Sequence, residues 1–393
     1  MFNERFVSIV HLATGNKMRI LVLNYEFPPV GGGGGHFAED VCRHLARRGH
    51  ELRVVTSWVA GLPRVETRDG YQIFRYCCFR RFRHTCTIPE MAAFVVMTLL
   101  PSLSQARQFK PQLLHVHFAV PTGVVGWLIH RVTGIPYVLS AHLGDIPGGV
   151  PEQTEHIFRW LKSFTVPIWK EAAAVTVAND YFRRLALRSY QVPMRIVPTG
   201  VNLLELQSST TQPHVPPRLI FPVRFNPQKN PLFLIEVLKQ TADLDWRLEV
   251  VGDGPLLAVF QERLEDAGLG ERVTYHGWVS PKELERLLSN SDILLMPSLM
   301  EGLPVVGMRA LGAGLAILGS NVGGIPEIVQ DGLNGYLCPV NDKEVFTTRL
   351  RQLINEPQRV AGMKAASRQL AARFDLETIT SELEKIFYEI INP

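Results

Sequence analysis

Short apolar runs, most of them scarcely interrupted by polar residues, recur along the chain with room for a helix between each pair. MRILVL (18–23), LRVVTS (52–57), LLHVHF (113–118), YVLSAH (137–142), AAVTVA (173–178) and RIVPTG (195–200) read as strands. Continuous apolarity, rather than alternation, is what a parallel strand buried on both faces requires. Helical patterns such as 37–48 and 122–133 lie between them, and alternating strand and helix predicts a doubly wound α/β domain. Residues 203–217, LLELQSSTTQPHVPP, are rich in Ser, Thr and Pro and read as a linker. The pattern then restarts with RLIFPV (218–223), RLEVVG (247–252), RVTYHG (272–277), ILLMPS (293–298) and LAILGS (315–320). The predicted organisation is an N-terminal extension (1–17), a first domain (18–202), the linker, a second domain (218–373) and an amphipathic terminal helix (374–393) that packs back on the first domain. Two such domains facing a cleft place ligands outside the carboxyl ends of their strands.

A chain of 393 residues suits two domains, and 46% hydrophobic against 20% charged residues excludes disorder. No apolar run reaches the roughly 18 residues of a membrane helix, and residues 1–17 lack the apolar core of a signal peptide, so a soluble protein is expected. Five scattered cysteines without a CxxC pair favour free thiols in a reducing cytoplasm. Cys77, Cys78, His84 and Cys86 cluster in sequence but match no standard zinc spacing, and no metal is expected there. Charge is uneven: up to Val215 there are 23 Lys and Arg against 14 Asp and Glu, so the first half is basic and the remainder acidic. A basic half suits an anionic surface or a phosphorylated acceptor.

The candidate chemistry lies just after strands. NYEFPPVGGGGGHF (24–37) places five glycines between the first strand and the first helix, where free amides at a helix N-terminus can bind an anion, or where the loop is simply a flexible entrance. A nicotinamide fingerprint would want an acid at the end of the second strand, and VVTSW has none. RFNPQKN sets Arg224 and Lys229 beside a turn, a pair suited to a pyrophosphate or else a solvated basic loop. VVGDGP (250–255) is a tight turn. PSLMEGLP (297–304) delivers Glu301 into a turn that starts a helix, where the carboxylate can accept from sugar hydroxyls, cap the helix or form a salt bridge.

Taken in order, GGGGGHF, HVHF, SAHLGD, VPTGVN, RFNPQKN, VVGDGP, HGWVS, PSLMEGLP, GSNVGGIPEIV and DGLNGYL resemble the landmarks of the retaining glycosyltransferases of family 4, from about Met18 to the end. The resemblance implies the GT-B fold, two Rossmann-like doubly wound domains facing a cleft. It implies that Arg224 and Lys229 grip the diphosphate of a nucleotide-sugar donor, that Glu301 hydrogen-bonds the donor sugar, and that the amides of Gly302 and Leu303 help to hold it. Gly252 and Gly277 fall on the donor side, His117 near the reacting carbon, and Gly33, Gly34 and Gly35 near donor phosphate and acceptor. His36, His142 and Asp145 fall on the acceptor side, where His142 and Asp145 could instead order their loop. One position departs from the pattern. The family's second glutamate, eight residues after Glu301, is Arg309 here, and arginine offers ribose hydroxyls no acceptor. Glu327 lies near the expected nucleotide pocket without a role assigned to it.

The implied reaction is retaining transfer of a hexosyl group from a UDP- or GDP-hexose to a hydroxyl, with charge on the leaving phosphate stabilised by fixed cations and no metal or other cofactor. The departing phosphate would take the acceptor's proton in a same-face displacement. Two other readings are a catalytically weak or inactive sugar-nucleotide-binding protein, suggested by Arg309, and an epimerase of the related fold. For the acceptor, residues 75–100, with Arg75, Arg80, Arg81 and Arg83, and residues 156–170 mix bases with apolar and aromatic residues. That mixture suggests a lipid-linked or cell-envelope glycan and peripheral contact at the inner face of a membrane. No nucleic-acid module is recognised.

Overall fold

A computed structural model of the protein describes residues 17–82, 86–149, 164–203 and 212–392. The expected extension ahead of residue 17, Arg83, His84, residues 156–163 and the middle of the expected linker lie outside the described residues. The chain divides into two compact units. One comprises the residues up to Pro198 together with those from Ile379 onward, and the other Thr199–Thr378. Residues 199–202 and 374–378 therefore go with the second unit rather than with the segments that the sequence pattern assigned them to.

The first unit is built on an eight-stranded sheet. Its strands are β1 (Arg19–Leu23), β2 (Glu51–Trp58), β3 (Val65–Arg68), β4 (Tyr71–Cys77), β5 (Leu113–His117), β6 (Tyr137–Ala141), β7 (Ala174–Val177) and β8 (Met194–Ile196), in the spatial order β3-β4-β2-β1-β5-β6-β7-β8. All pairings are parallel except β3 with β4. The β3–β4 hairpin was not expected. Asp69 (φ 48°) and Gly70 (φ 88°) form its two-residue connection with both residues left-handed, as a hairpin turn of matching twist requires. β4 alternates buried and half-buried positions, so it carries no continuous apolar run. The core strands β1, β5 and β6 are buried almost throughout.

The segment 75–100 runs into a long helix, Ile88–Phe109. By length and composition it could cross a membrane, which the sequence pattern alone did not suggest. One face is nonetheless turned into its own domain: Phe94, Thr98, Ser102 and Ala106, at i, i+4 spacing, are buried, and Phe94 meets Tyr25 edge to face at 6.3 Å. The terminal helix Leu376–Ile391 brings Leu383 and Phe387 into full burial. Its Glu384 accepts from Arg48 Nη1 (2.5 Å) and lies 2.6 Å from His50 Nε2, which fastens the end of the chain to the first unit.

Two corrections concern the basic surface. Arg75 and Arg80 are buried, Arg75 paired with Glu66 at 2.7 Å and Arg80 donating to the Tyr25 carbonyl at 3.2 Å. Of the segment 156–170, Ile168 and Trp169 are core residues, and Trp169 stacks on Tyr190 at 4.2 Å. The described members of the cysteine cluster, Cys77, Cys78 and Cys86, are free thiols.

The second unit holds a six-stranded sheet of β9 (Arg218–Pro222), β10 (Arg247–Val251), β11 (Val273–Tyr275), β12 (Ile293–Met296), β13 (Ala316–Ser320) and β14 (Gly335–Cys338). The order is β11-β10-β9-β12-β13-β14, parallel throughout. β14 was not expected; it begins at Gly335, where a Cβ would run into the Ile317 carbonyl, and a strand that opens on glycine gives little apolar signal. At the start of β12, Asp292 accepts from the backbone N–H groups of His214 and Arg218 (both 3.0 Å) and from Lys364 Nζ (2.7 Å), and both ionic side chains are fully buried. This contact ties the sheet to the helix Pro357–Ala371.

Removing one partner of a buried ion pair strands the other charge. Lys364→Met is therefore expected to lower unfolding stability by about 3–5 kcal/mol, and adding Asp292→Leu to recover part of it. Urea unfolding of the single and double variants checks this, and a single variant within about 0.5 kcal/mol of wild type would refute the argument.

Candidate active site

In each sheet the strand order reverses beside the first strand, at β1/β5 in the first unit and at β9/β12 in the second. Ligand sites of open parallel sheets form at such reversals, outside the carboxyl ends of the strands.

In the second unit, β9 runs into a loop with exposed Arg224, followed by the turn Pro227–Lys229. Asn226 caps this turn, its Oδ1 accepting from the Lys229 N–H at 3.2 Å. β12 runs into the Ser298–Glu301 loop. Backbone and side chain bind the two loops together: the Leu299 N–H donates to the Gln228 carbonyl (2.8 Å), and Gln228 Nε2 to the Met300 carbonyl (3.0 Å). Lys229 Nζ forms an ion pair with Glu301 Oε1, which also accepts from Ser298 Oγ at 3.0 Å. Glu301 is 6% exposed, so this carboxylate is held nearly dry, with two donors on one oxygen. Gly302 and Leu303 follow, half-buried, ahead of the helix Val305–Ala313. Gly323 approaches the Glu301 carbonyl where a Cβ would collide with it, and the Gly324 N–H donates to that carbonyl at 3.2 Å.

Gly252 and Gly277 sit at the neighbouring strand exits. Gly252 (φ 119°) lies against the Val223 carbonyl, and its N–H donates to Gly277 O at 2.7 Å; this amide is thus engaged within the chain. Gly277 has open space at its Cβ position. Arg309 lies on the helix Val305–Ala313, its Nη1 3.7 Å from Glu285 Oε1 on the helix Pro281–Ser289. Glu327 is half-buried in the short helix Ile325–Ile328.

In the first unit the glycine run opens the helix Gly33–Arg47, which starts inside the run rather than after it. No side chain caps this helix and its first turn holds no acid; the Gly32 N–H donates to Glu26 Oε2 (3.1 Å) and the Gly35 N–H to the Gly32 carbonyl (3.1 Å), which leaves the amides of Gly33 and Gly34 as the ones that keep their hydrogen-bonding capacity. A Cβ at Gly34 would lie 2.7 Å from Phe118 Cζ and 2.9 Å from His142 Nδ1, and one at Gly35 would collide with the Glu26 carbonyl. Those two glycines are needed for the chain's own rings and backbone to come under the loop. Gly33 and His36 are exposed.

His117 ends β5 and is fully buried, its Nδ1 3.4 Å from His142 Nε2. The ring of His115 lies 4.1 Å from that of His117, and His115 Nε2 contacts Ser140 Oγ at 2.9 Å. Asp145 closes the loop after β6: its carboxylate accepts from the N–H of His142 (2.9 Å) and of Val120 (3.3 Å). Asp145 therefore orders its loop, the alternative role left open for it. Burial drives all three imidazoles toward neutrality. His142 falls to about 4, His115 to about 3 with His142 as a further cause, and His117 well below the usual histidine range, through burial and then its two histidine neighbours. Burial pushes Asp145 up to about 7 against the backbone donors that lower it.

Within each unit, then, the sequence-predicted residues gather at one end of the sheet. The second unit joins Lys229 to Glu301, and the first joins His117 to His142, with Gly34 against His142. Several partners were not anticipated. Ser298 and Gln228 lie inside quoted motifs but carried no chemical signal, His115 read only as part of a strand, and Glu285 is one of two acids on an amphipathic helix.

Two family models match consecutive stretches of the chain: Glycosyltransferase Family 4 over residues 31–204 and Glycosyl transferases group 1 over residues 205–370. The chain is a family 4 glycosyltransferase with the GT-B fold. Among relatives of this glycosyltransferase, an N-acetyl-alpha-D-glucosaminyl L-malate synthase of Bacillus anthracis is 25% identical, the match covering 95% of this chain and 98% of the relative. A UDP-Gal:alpha-D-GlcNAc-diphosphoundecaprenol alpha-1,3-galactosyltransferase of Escherichia coli is 22% identical over 77% of this chain and 85% of its own. The fold matches that of Anabaena HepE in complex with UDP, with a TM-score of 0.73 at 17% identity, covering 94% of this chain and 99% of that one.

The buried histidines of the glycosyltransferase give its stability a pH dependence of defined sign. Their folded pKa values lie below the ordinary value near 6.5, so their contribution is complete above about pH 6.5 and is lost as pH falls toward 4. Asp145, raised, acts in the opposite sense, its contribution being lost as pH rises from about 4 to 7. His115→Gln removes one histidine and leaves Asp145 in place. The stability difference between wild type and variant is expected to shift by up to about 1.4 kcal/mol per pH unit below pH 6.5. Urea midpoints from pH 5 to 7.5 test this, and parallel curves would show that burial does not lower the His115 pKa in the fold.

Proposed function

We propose that the enzyme moves a hexosyl group, with retention, from a nucleoside-diphosphate sugar (UDP- or GDP-hexose) to a hydroxyl of a lipid-linked or cell-envelope glycan, in the cytoplasm and without a metal. The observation that carries this reading is the Lys229–Glu301 ion pair at the β9/β12 reversal. It sets a cation suited to a diphosphate beside a carboxylate suited to sugar hydroxyls, with exposed Arg224 five residues before the lysine. When a donor enters, its diphosphate would compete for the Lys229 ammonium and free Glu301 oxygens to accept from the sugar. As the glycosidic bond breaks, charge grows on the leaving phosphate, and a positioned cation stabilises that state more than the ground state. His117, neutral and buried, would serve as a hydrogen-bonding group beside the reacting carbon rather than as a cation. The amide-rich start of Gly33–Arg47 would face phosphate or acceptor. The Escherichia coli relative, whose name records a UDP-sugar donor and a diphosphoundecaprenol-linked acceptor, supports this substrate class, as does the nucleotide bound by HepE.

A second reading, a sugar-nucleotide-binding protein with little turnover, is favoured by one observation. Arg309 stands where the family pattern has its second glutamate, and it is paired with Glu285. A donor assay that follows nucleoside diphosphate release and the anomeric configuration of the product separates the two, because a binding protein releases none.

Lys229→Ala is expected to lower kcat by roughly 10²–10³-fold, the range for loss of one preorganised charge-stabilising donor; a change below threefold would remove Lys229 from the chemistry. The charge swap Arg309→Glu with Glu285→Arg restores a carboxylate at position 309 while keeping an ion pair. It is expected to tighten UDP binding about tenfold in calorimetry, and unchanged affinity would show that the ribose is not held from that position.

A further inference from the structure

The face of the helix Ile88–Phe109 opposite its buried stripe is apolar and open to solvent. Ile88, Val96 and Leu100 are 55%, 72% and 73% exposed, and Ala92 continues the row. From Met91 to Ala106 the helix carries no charged residue at all. A helix apolar all round normally lies within a core; this one has only one side covered.

The exposed row continues at its N-terminal end. Glu90 caps the helix through the Thr87 N–H (2.7 Å) and also accepts from the Arg81 N–H (2.9 Å). This bond holds Arg81 to the start of the helix, and its neighbours Phe79 and Phe82 are 67% and 56% exposed. Cations stand at both ends of the row: Arg81 beside the phenylalanines, and Arg107 and Lys110 at the far end, all exposed. We propose that this face is a docking surface for an anionic lipid bilayer, with the helix lying in the plane of the interface, its Val96–Leu100 row and the two phenylalanines inserted, and the end cations on headgroup phosphates. It deepens the reading of a lipid-linked acceptor given above and rests on it for its purpose, though lipid binding is measured independently.

Charge selects this occupant. A second copy related by a two-fold axis would set one basic end of the row against another, whereas an anionic surface complements both ends at once. A span across the membrane is excluded by the face already packed inside the domain.

The full chain should co-sediment with phosphatidylcholine vesicles containing phosphatidylglycerol and much less with phosphatidylcholine alone. Val96→Glu with Leu100→Glu should reduce binding to the anionic vesicles about tenfold or more, and Arg81→Glu with Arg107→Glu should reduce it and flatten its salt dependence. Far-UV circular dichroism and UDP affinity should stay at wild-type levels in both variants, since neither touches the donor residues; a wild type that releases no nucleoside diphosphate would count against the proposed function and not against the docking surface. The proposal is overturned if wild type binds neither vesicle, if the Val96/Leu100 variant binds like wild type, or if sedimentation velocity shows a dimer that the same variant dissociates.

Discussion

Parallel strands covered on both faces leave no room for polar chemistry along their length, because an unpaired polar group there would forfeit its hydration. The central strands of both sheets follow that constraint, admitting polar side chains only where they pair with one another, as His115 and Ser140 do, and its consequence is positional. Functional side chains can enter only where a strand stops, and the loops that diverge where the strand order reverses leave the space to hold a ligand. His117 on β5, Glu301 after β12 and Lys229 after β9 all occupy such positions. The sheets thus act as rigid mounts for a few loop residues held by bonds to neighbouring loops.

The two units handle charge differently. In the second, an ionised pair survives near-complete burial of the carboxylate because Lys229 and Ser298 both donate to Glu301, and because the loop bonds through Gln228 fix their separation. A buried ion pair of this kind adds little net stability, so its effect is positional: it holds the side chains of two loops together at the strand reversal. In the first unit the polar groups at the corresponding place are imidazoles, which burial keeps neutral, and a carboxyl shared among backbone donors. Neutral donors and acceptors suit recognition of a hydroxyl, whereas an anion calls for fixed cations.

The legible part of this fold was whatever expresses itself as local pattern. The strands buried on both faces announce themselves as apolar runs, and the loop motifs fall at their ends. What escaped depended on tertiary context. The β3–β4 hairpin alternates, and its Asp69–Gly70 turn was an available signal that continuous runs masked. Arg75 and Arg80 read as surface charge because sequence does not reveal that Glu66 and the Tyr25 carbonyl await them inside. The glycine run shows the same limit in a finer form. Its permissiveness was evident, yet only the coordinates show that Gly34 makes way for Phe118 and His142 and that Gly35 makes way for the Glu26 backbone. Part of what looked like accommodation of a ligand is accommodation of the protein.

That distinction bears on Arg309. Positions such as Gly34, Gly252 and Gly323 are held by collisions a Cβ would create with fixed backbone or rings, so changing them would disturb the mount itself. Arg309 has no such constraint: it lies half-buried on a helix surface with its guanidinium turned to Glu285 on the neighbouring helix. An ion pair between two helices can be formed with either sign at either end, so the fold tolerates arginine where the family places glutamate. The fold therefore does not require a carboxylate at position 309. The carboxylate that the fold does bring to Arg309 is Glu285, on the neighbouring helix.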